Sequence, residues 1–420
     1  MNLILMVSTG MIIGVAVTVF LAVILTLVGL LLFARKKLVP QGAVELTIND
    51  ERELTVDPGS SILSTLATNK IFLPSACGGG GTCGMCRCRV VEGGGSMLPT
   101  EQGFFTRKEQ LNKWRLGCQV KIREAIKIEI PPEVFGVKKW ECEVLSNHNL
   151  ATFIKEFVVK LPEGESLDFK SGGYIQIDVP KVEVDYKDFN IEETYRDEWD
   201  RYKMWDLKMK NPEPEFRAYS MANHPAEGNI VMLNIRIATP PFDRKTGGFM
   251  NVNPGVCSSY LFSLKAGDKV MVSGPYGEFH IRDTKREMMF IGGGAGMAPM
   301  RSHIFHLFKT EKTDRKVSFW YGGRSLRELF YIEDFKQIEE AFPNFSFHIA
   351  LSEPKEEDHW NGSKGFIHQV ILENYLKNHP EPEEIEYYIC GPPMMNDAVL
   401  KMLDNLGVPD EMILYDDFGG

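Results

Sequence analysis

The pattern of hydrophobic and polar positions first marks out residues 1–37. No charged side chain occurs in residues 1–34, where Leu, Ile, Val, Ala, Met and Phe dominate. A helix over Leu3–Phe33 is longer than the roughly 20 residues that cross a bilayer core. Arg35-Lys36-Lys37 follows this helix directly. A signal peptide would instead begin with basic residues and end in a cleavage site of small residues, and neither is present here. The pattern predicts a retained transmembrane anchor, with the remaining chain on the cytoplasmic side.

Residues 38–132 predict a small α+β domain. Two segments alternate as strands, an amphipathic run capped by Ser60 suits a helix, and a cysteine-rich loop follows. A strand, a second helix and a closing strand complete the order. The predicted elements are strands over Ala43–Ile48, Arg52–Val56, Arg87–Val91 and Val120–Ile130, and helices over Ser61–Asn69 and Thr100–Trp114.

Residues 133–285 consist of short alternating segments separated by Gly and Pro, which favours an antiparallel barrel. The strands are predicted over Glu141–Leu145, Ile154–Val159, Tyr174–Val179, Ile230–Ala238 and Lys269–Val272. Residues 181–215, dense in Asp, Glu, Lys, Trp and Tyr, interrupt this pattern. We interpret them as a partly helical insertion on the rim of the barrel, either a solvated excursion or a docking site for a partner.

Residues 286–420 alternate between strand and helix and predict an α/β nucleotide-binding domain. The apolar strand Met288–Ile291 runs into Gly292-Gly293-Gly294-Ala295-Gly296, and a helix over Met300–Phe308 follows. Strand, glycine loop and helix form the layout of a nucleotide-binding turn. Further strands are predicted over Val317–Tyr321, Phe345–Ala350 and Glu386–Cys390, each ending at the ligand edge of a parallel sheet.

Composition narrows the function. The net charge of −10, from 57 acidic and 47 basic residues, argues against nucleic acid as a partner. Eight cysteines are present, and five of them fall within residues 77–118. That clustering is not typical of a secreted disulfide scaffold.

The cysteine spacing carries the clearest chemistry. Cys77, Cys83 and Cys86 surround a run of four glycines, and Cys118 follows later. Four thiolates can hold a [2Fe–2S] cluster, and the spacing is one residue longer than the plant-type C-x4-C-x2-C pattern. A loop that wraps a cluster needs backbone N–H groups aimed at the sulfurs, and dihedral angles that glycine allows. These four cysteines are the predicted ligands.

Other uses of these cysteines are weaker interpretations. A structural zinc site pairs two C-x2-C knuckles or adds histidine, and a Rieske centre needs two histidines. Only one C-x2-C occurs here, and no histidine lies between Gln41 and Asn147. Disulfides do not suit a cytosolic domain. Cys88, the local competitor, is interpreted as a strand residue. The order of elements around the cysteines resembles a β-grasp ferredoxin, with the longer first loop of adrenodoxin-like members.

A flavin site is indicated by residues that match known motifs. Arg217-Ala218-Tyr219-Ser220 resembles the R-x-Y-S signature of the ferredoxin-NADP reductase superfamily, and Gly274-Pro275-Tyr276-Gly277-Glu278-Phe279 resembles its G-P-x-G-x-F motif. The chemistry of the first motif suits FAD: Tyr219 can stack on the isoalloxazine, Ser220 can hydrogen-bond near its reactive edge, and Arg217 can neutralise the pyrophosphate. Between the two motifs, Gly255, Ser258 and Ser259 open a helix whose N–H groups can bind phosphate.

The nicotinamide site is indicated by three further segments. Gly292, Gly293, Gly294 and Gly296 match the G-G-x-G-x-A-P motif of the same superfamily, and Cys390-Gly391-Pro392-Pro393 matches its C-G-P-P motif. The resemblance implies that Cys390 packs beside the nicotinamide, and that Phe418 covers the flavin until nicotinamide enters. The predicted residues of hydride transfer are Ser220, Cys390 and Phe418.

Over its whole length the chain resembles the family of F subunits of the Na+-translocating NADH:quinone oxidoreductases. The resemblance implies electron flow from NADH to FAD to [2Fe–2S], a single-pass location in a bacterial inner membrane, other membrane subunits as partners and quinone as the final acceptor. A membrane-tethered monooxygenase reductase is the alternative within the enzyme class. A membrane-bound ferredoxin with a nucleotide-sensing C-terminal half is a further alternative. NADH rests on the resemblance, because Arg324 and Arg327 beside Glu328 leave the charge balance undecided.

Overall fold

The computed structural model describes residues 2–38, 42–243, 245 and 247–416. They form two compact units, residues 1–73 with 79–135 and residues 74–78 with 136–420. The first helix, α1, covers Asn2–Leu38. Within it, Ile13–Leu31 is the one stretch of the described chain long and apolar enough to cross a membrane. The hydroxyls of Thr18 and Thr26 donate to carbonyls one turn earlier, at 2.8 and 2.7 Å, so neither polar group is left unsatisfied.

The smaller unit contains a five-stranded mixed sheet in the order β2-β1-β5-β3-β4, in which β1 and β5 are parallel and the other pairs antiparallel. A helix and two helical turns complete it. The helix begins after Ser61, whose hydroxyl accepts from the Ser64 amide, so the cap lies one residue later than predicted. The elements are β1 (Val44–Ile48), β2 (Arg52–Val56), α2 (Ile62–Thr68), β3 (Arg87–Glu92), α3 (Pro99–Gln102), α4 (Arg107–Leu111), β4 (Trp114–Leu116) and β5 (Ile126–Glu129).

The single helix predicted over residues 100–114 is wrong. Gly103 ends α3, and Thr106 begins α4 by accepting from the Glu109 amide while Glu109 accepts from the Thr106 amide. This reciprocal capping starts a new helix. Trp114 then enters β4 instead of continuing a helix. The closing strand is also shorter than predicted, since only Ile126–Glu129 joins the sheet.

The larger unit begins with a six-stranded antiparallel sheet in the order β11-β8-β15-β6-β7-β12. Its two edge strands meet at the Met221–Leu233 bridge, so the sheet curves back on itself. All five predicted strands are present. The elements are β6 (Lys138–Ala151), β7 (Ile154–Lys160), β8 (Tyr174–Val179), β9 (Val182–Asp185), α5 (Arg196–Arg201), β10 (Lys208–Asn211), β11 (Glu215–Ser220), β12 (Ile230–Arg236), β13 (Phe242–Asp243), β14 (Gly248–Phe249), α6 (Val256–Ser263) and β15 (Lys269–Tyr276).

The insertion, residues 181–215, is part of the core of this sheet and not a solvated excursion. Strands β9 and β10 form a two-stranded ribbon around α5 and short 3-10 turns. Trp199 is fully buried, and its indole N–H donates to the Thr152 carbonyl at 2.8 Å. Its ring packs against Trp205 and Phe262. The apolar inner face of the insertion could not be recognised in the sequence, because charged residues surround its apolar ones.

The parallel sheet of the same unit has the order β19-β18-β17-β16-β20-β21. The strand order reverses at β16, between β17 and β20, and ligands bind in such sheets at the carboxyl ends beside the reversal. The three strands predicted after the glycine loop are present, and β19 and β21 are additional. The elements are β16 (Met288–Gly293), α7 (Met297–Phe305), β17 (Val317–Gly323), α8 (Ile332–Ala341), β18 (Phe345–Leu351), β19 (Ser363–Lys364), α9 (Ile367–Asn374), β20 (Glu386–Cys390), α10 (Pro393–Asn405) and β21 (Ile413–Asp416).

Candidate functional site

Cys86 and Cys118 are brought together by two neighbouring strands. Cys86 directly precedes β3 and Cys118 follows β4. The Gly117 amide donates to the Cys86 carbonyl at 2.7 Å, and the Cys118 amide donates to Cys86 Sγ at 3.4 Å. A side-chain hydrogen bond with Cys118, together with burial, raises the pKa of the Cys86 thiol. Thiols this close resist ionising together unless a cation neutralises them, so the donor set suits an iron–sulfur cluster.

The structure gives fewer contacts for the other two predicted ligands, Cys77 and Cys83. Cys83 lies close enough to raise the pKa of Cys86 further, by charge repulsion. Cys77 falls within residues 74–78, which group with the larger unit. Among the residues described, no three His, Cys, Asp or Glu side chains are arranged as a metal site. The full set of four ligands therefore stays a prediction.

The glycines of the cysteine loop have backbone conformations and close contacts that disfavour any residue with a side chain. A Cβ on Gly84 would lie 2.6 Å from the Phe104 ring, and one on Gly81 would lie 2.4 Å from the Gln119 amide. Backbone at positive φ further restricts these positions to glycine. The loop residues with positive φ are Gly78 (+64°), Gly79 (+93°), Gly81 (+77°) and Gly84 (+70°). This geometry is what the sequence predicted for a loop that wraps a cluster.

Cys88 lies inside the sheet, on β3, opposite Arg115 of β4. Its side chain is fully buried. Burial raises the pKa of its thiol to about 12, which keeps the thiol protonated at neutral pH. The structure thus places Cys88 where a strand residue would be.

A buried ion pair supports the strand that leads to Cys118. Arg115 Nε and Nη2 donate to the Glu101 carboxylate at 2.9 and 2.7 Å, and both side chains are almost fully buried. The Leu116 and Leu98 amides donate to the same carboxylate at 3.0 and 3.1 Å. Burial opposes ionisation of Glu101, but these hydrogen bonds outweigh it and lower its pKa. No sequence motif marks Glu101 or Arg115, so this pair is evident only from the structure.

The predicted flavin motif lies on β11, an edge strand of the antiparallel sheet, with Ser220 opposite Tyr174 on β8. Tyr219 lies beside the Cys257 thiol at the start of α6, and burial raises the pKa of the Tyr219 phenol well above its ordinary value. Arg217 pairs with Glu215 at 2.8 Å and stays partly exposed. The motif therefore lies next to the N-terminal end of α6, where free amides can bind phosphate.

The residues that open α6 are held by contacts within the protein. Ser259 Oγ donates to the Gly255 carbonyl at 2.7 Å and contacts the buried Tyr186 hydroxyl at 2.8 Å. Ser258 Oγ accepts from the Ala238 amide at 3.1 Å. A Cβ on Gly255 would lie 2.5 Å from the Ala238 Cβ, so the turn has room only for glycine. Backbone amides, rather than these hydroxyls, are the groups that remain suited to a phosphate.

A cavity of about 1040 Å³ opens at the carboxyl ends of the parallel strands. The glycine loop after β16 and the turn after β20 are packed too closely to accommodate larger side chains. A Cβ on Gly296 would lie 2.1 Å from the Cys390 carbonyl oxygen, and one on Gly391 would lie 2.3 Å from Met395. The cavity is lined by the ends of β16 and β17, by insertion residues and by α10, including Gly293, Gly294, Gly322, Gly323, Arg324, Arg201, Tyr202, Met204, Pro392 and Met394. Gly292 is buried behind this wall, against Met300 and Phe319.

Three residues that are distant in sequence converge at the end of β20. Ser220 Oγ donates to Asp416 Oδ2 at 2.8 Å. Asp416, the last residue of β21, pairs in register with Cys390, the last residue of β20. The structure thus connects Ser220 to Cys390 through Asp416, which the sequence analysis did not select. The predicted shield, Phe418, lies outside the described residues.

Three family models match the chain in the order of its folded segments. A 2Fe-2S iron-sulfur cluster binding domain matches residues 46–123, an oxidoreductase FAD-binding domain matches residues 201–281, and an oxidoreductase NAD-binding domain matches residues 290–401. The predicted cofactors, [2Fe–2S], FAD and NADH, are thereby confirmed at the level of the domains.

Relatives match almost the whole chain. The Na(+)-translocating NADH-quinone reductase F subunit of Pseudomonas aeruginosa strain UCBPP-PA14 is 56% identical over 411 residues, 98% of this chain and 100% of that protein. The chain belongs to this family of F subunits. The F subunit of Psychrobacter cryohalolentis is 57% identical over 406 residues, 96% of this chain and 98% of that protein. That of Neisseria gonorrhoeae is 55% identical over 404 residues, with the same coverage.

Membership of this family confirms several predictions. The family is one of oxidoreductases, and its three domains are in the order expected for electron transfer from NADH to FAD to [2Fe–2S]. Because its members are subunits, the family implies other subunits of a complex as partners. The helix α1 is consistent with a single-pass anchor in such a complex.

Two solved structures share the fold of the chain. An Amycolatopsis cytochrome P450 reductase has a TM-score of 0.62 at 22% identity, covering 89% of this chain and 98% of that one. A ferredoxin reductase in carbazole 1,9a-dioxygenase has a TM-score of 0.58 at 24% identity, covering 90% and 98%. At such identities the likeness shows the fold alone, and the predicted fold class is confirmed. The full-length relatives favour the quinone reductase family over the monooxygenase-reductase alternative.

Proposed function

We propose that this chain is the electron-input subunit of a sodium-translocating NADH:quinone oxidoreductase. NADH binds in the cavity at the ends of β16 and β17, and its nicotinamide reaches the position where Ser220, Asp416 and Cys390 converge. When bound, FAD would supply the chemistry that converts a two-electron hydride donor into a source of single electrons, and a [2Fe–2S] cluster would supply a one-electron acceptor. Electrons then leave for other subunits, with quinone as the final acceptor. The hydrogen bond between Ser220 and Asp416, beside Cys390, carries the proposal.

The protein contributes positions and charge at this site. Ser220 offers a hydroxyl at the place proposed for the reactive edge of the flavin, and Asp416 orients that hydroxyl through its 2.8 Å hydrogen bond. Cys390 is fully buried at the end of β20, and we propose that its small side chain packs beside the nicotinamide ring. Phe418 is proposed as the shield that the nicotinamide displaces.

The remaining site residues follow the motifs. Arg217 and Tyr219 contact the flavin, and the N-terminal turn of α6 binds its pyrophosphate. The glycine loop and the end of β20 hold the dinucleotide. The proposed cluster ligands are Cys77, Cys83, Cys86 and Cys118; the proposed FAD contacts are Arg217, Tyr219, Ser220, Gly255, Ser258, Ser259 and Phe418; the proposed NADH contacts are Gly292, Gly293, Gly294, Gly296, Cys390 and Gly391.

The proposed organisation assigns one role to each segment. Residues 1–37 anchor the chain in a bacterial inner membrane, and Arg35-Lys36-Lys37 keep the C-terminal part in the cytoplasm. Residues 38–132 hold the cluster, residues 133–285 hold FAD, with the insertion at 181–215, and residues 286–420 bind NADH. The span Ile13–Leu31 contains no charged residue, so sodium transport belongs to the complex and not to this helix.

The full chain, purified in detergent with its flavin and iron retained, tests the proposal. NADH added without oxygen should bleach the flavin absorbance and then produce the electron paramagnetic resonance signal of a reduced [2Fe–2S] cluster. Copurification with other membrane subunits and NADH-dependent quinone reduction should follow in native membranes. An unreduced flavin would contradict the reductase function. Electron delivery to a monooxygenase, with no quinone reduction, would favour the alternative.

A further inference from the structure

The insertion lines the nucleotide cavity and contacts the residues that follow β17. Strand β16 carries the glycine loop, and β17 is its parallel neighbour, with Gly293 beside Gly322. In sheets of this kind the residues that read the adenosine ribose, either an acid for the 2′-hydroxyl or an arginine for a 2′-phosphate, follow a neighbouring strand. Here Arg324 directly follows β17 and lines the cavity, and Arg327 lies three residues further on. By themselves, these two arginines suit a 2′-phosphate.

Carboxylates of helix α5 in the insertion accept hydrogen bonds from Arg327 and lie within ion-pair distance of Arg324, whose side chain is 47% exposed. Arg327 Nη1 donates to both oxygens of Asp197 at 3.0 Å, a bifurcated contact. Arg327 Nη2 lies 3.4 Å from Glu198 Oε1, and Arg324 Nη2 lies 3.5 Å from Glu198 Oε2. Glu328 adds a third carboxylate, 3.8 Å from Arg327 Nε. At the end of β17, Arg324 and Arg327 therefore face three carboxylates, and Arg236, which also lines the cavity, adds a positive charge close enough to interact with Arg324 and Glu328.

Burial makes this charge balance matter. The side chains of Glu198, Arg327 and Glu328 are 12%, 17% and 15% exposed, so water screens their charges poorly. A 2′-phosphate bound to Arg324 would lie beside the carboxylate of Glu198, which is 3.5 Å from the Arg324 guanidinium, and near the other two acids. NADH carries a 2′-hydroxyl, which brings no charge and meets no such repulsion. A doubly charged phosphate therefore loses more than a hydroxyl at this position.

The helix that supplies these acids is firmly positioned. Trp199, the residue after Glu198, is fully buried and hydrogen-bonded to the Thr152 carbonyl. Arg327 Nη1 also donates to the Thr194 carbonyl at 3.2 Å, which connects the segment after β17 to the residues just before α5. Another cavity arginine, Arg236, is close enough to Arg324 and Glu328 to interact with both electrostatically, but the carboxylates of α5 pair with the two arginines that follow β17.

We propose that Glu198, supported by Asp197, is a specificity-determining residue that makes the cavity select NADH over NADPH by occupying Arg324 and Arg327. A residue of the insertion, which is not part of the nucleotide-binding sheet, would thus determine which dinucleotide binds. This inference rests on the proposed binding of NADH in the cavity. It concerns only the discrimination between the two dinucleotides.

The test compares initial rates with NADH and NADPH, using the full detergent-purified chain and ferricyanide as the electron acceptor. Glu198→Gln should raise kcat/KM for NADPH at least tenfold, mainly through a lower KM. Arg324→Ala combined with Glu198→Gln should cancel that gain, because the freed guanidinium is then missing. Glu183→Gln is the matched control, since it removes one charge from the same insertion where Glu183 pairs with Lys210. This control variant should leave the ratio of kcat/KM for NADPH to kcat/KM for NADH unchanged.

Competitive inhibition provides a second measurement that does not depend on hydride transfer. In Glu198→Gln, 2′-AMP should inhibit NADH oxidation more strongly than in the unmodified chain, while inhibition by 5′-AMP should change less. The gain for 2′-AMP should shrink at high salt, because salt screens an exposed phosphate–guanidinium pair. Asp197→Asn should give a smaller change in the same direction, because the Asp197 side chain is 59% exposed. This variant replaces Glu198→Gln in the test if Glu198→Gln does not retain FAD.

The outcomes separate this inference from the proposed function. Equal kcat/KM for NADPH in Glu198→Gln and Glu183→Gln, with FAD retained, would overturn the inference while NADH activity persisted. Equal use of both dinucleotides by the unmodified chain would overturn it as well. Absence of activity with NADH itself would instead contradict the proposed function.

Discussion

The hydroxyl of Ser220 donates a 2.8 Å hydrogen bond to the carboxylate of Asp416, a residue 196 positions later in the chain. Asp416 lies beside Cys390 because β20 and β21 are parallel and in register. A strand of the antiparallel sheet and two strands of the parallel sheet thus meet at one point. The Ser220–Asp416 contact is the observation that supports our proposal of hydride transfer at this place.

We expect Ser220→Ala and Asp416→Asn to slow flavin reduction by NADH about tenfold to a hundredfold, because Ser220→Ala removes and Asp416→Asn weakens the hydrogen bond that orients the Ser220 hydroxyl at the proposed site. FAD content should stay near that of the unmodified chain. Stopped-flow absorbance of the flavin measures the rate. Asp410→Asn, an exposed acid before β21, is the matched control. An unchanged rate in both site variants would remove these residues from the reaction.

The cysteines make a second prediction. Cys118→Ser should abolish the visible absorbance of the cluster and lower the iron content, because serine is a poor substitute for a thiolate ligand. Cys88→Ser should retain the cluster, although a hydroxyl in the core of the sheet costs roughly 1–3 kcal/mol of stability. Iron analysis and absorbance spectra check both variants. Loss of the cluster in Cys88→Ser would show that the ligand assignment is wrong.

The buried pair Glu101–Arg115 should stabilise the smaller unit and, with it, the position of Cys118. Glu101→Gln leaves Arg115 buried without its counter-ion, and breaking such a pair costs about 3–5 kcal/mol. The cluster absorbance should therefore be lost at a lower temperature than in the unmodified chain. Glu109→Gln, which removes a more exposed partner of Arg87, should have a much smaller effect.

The same pair predicts a pH dependence. The pKa of Glu101 is lowered in the folded chain from its ordinary value of 4.5, so the unfolded chain binds the proton more tightly. Its contribution to stability is therefore complete above pH 4.5 and is lost as the pH falls towards the lower folded pKa. Thermal loss of the cluster, measured across this range, should depend on pH less steeply in Glu101→Gln. Identical pH profiles in the two proteins would show that Glu101 does not contribute.

The membrane anchor should be separable from the chemistry. A chain lacking residues 1–37 should remain in the aqueous phase and still reduce ferricyanide with NADH, because every proposed cofactor contact follows residue 42. The full chain should stay in the membrane pellet after an alkaline wash. Partition between pellet and supernatant, with rates for each form, measures this. Failure of the truncated chain to reduce its flavin would show that the anchor is needed for the reaction.

Much of the fold was predictable because local patterns agree with it. Alternation of apolar and polar residues located β7, β8 and β12 to within two residues, and the glycine loop between β16 and α7 followed from its composition. Thr100–Trp114 was predicted incorrectly, because the capping at Thr106 and the sheet pairing of Trp114 override helix propensity there. The buried face of the insertion, with Trp199 at its centre, depends on packing that no local pattern reports.

The sequence by itself determined which chemistry is present, because cysteine spacing and the flavin and nucleotide motifs are local arrangements of residues. Tertiary structure decided which residues act together, since strand register and packing bring distant positions within a few ångströms. Asp416 gains a role from its hydrogen bond to Ser220, and Glu198 from its ion pairs with Arg324 and Arg327. The charge balance at the end of β17 could not be read from residues 324–328, because part of it comes from a helix more than a hundred residues earlier in the chain.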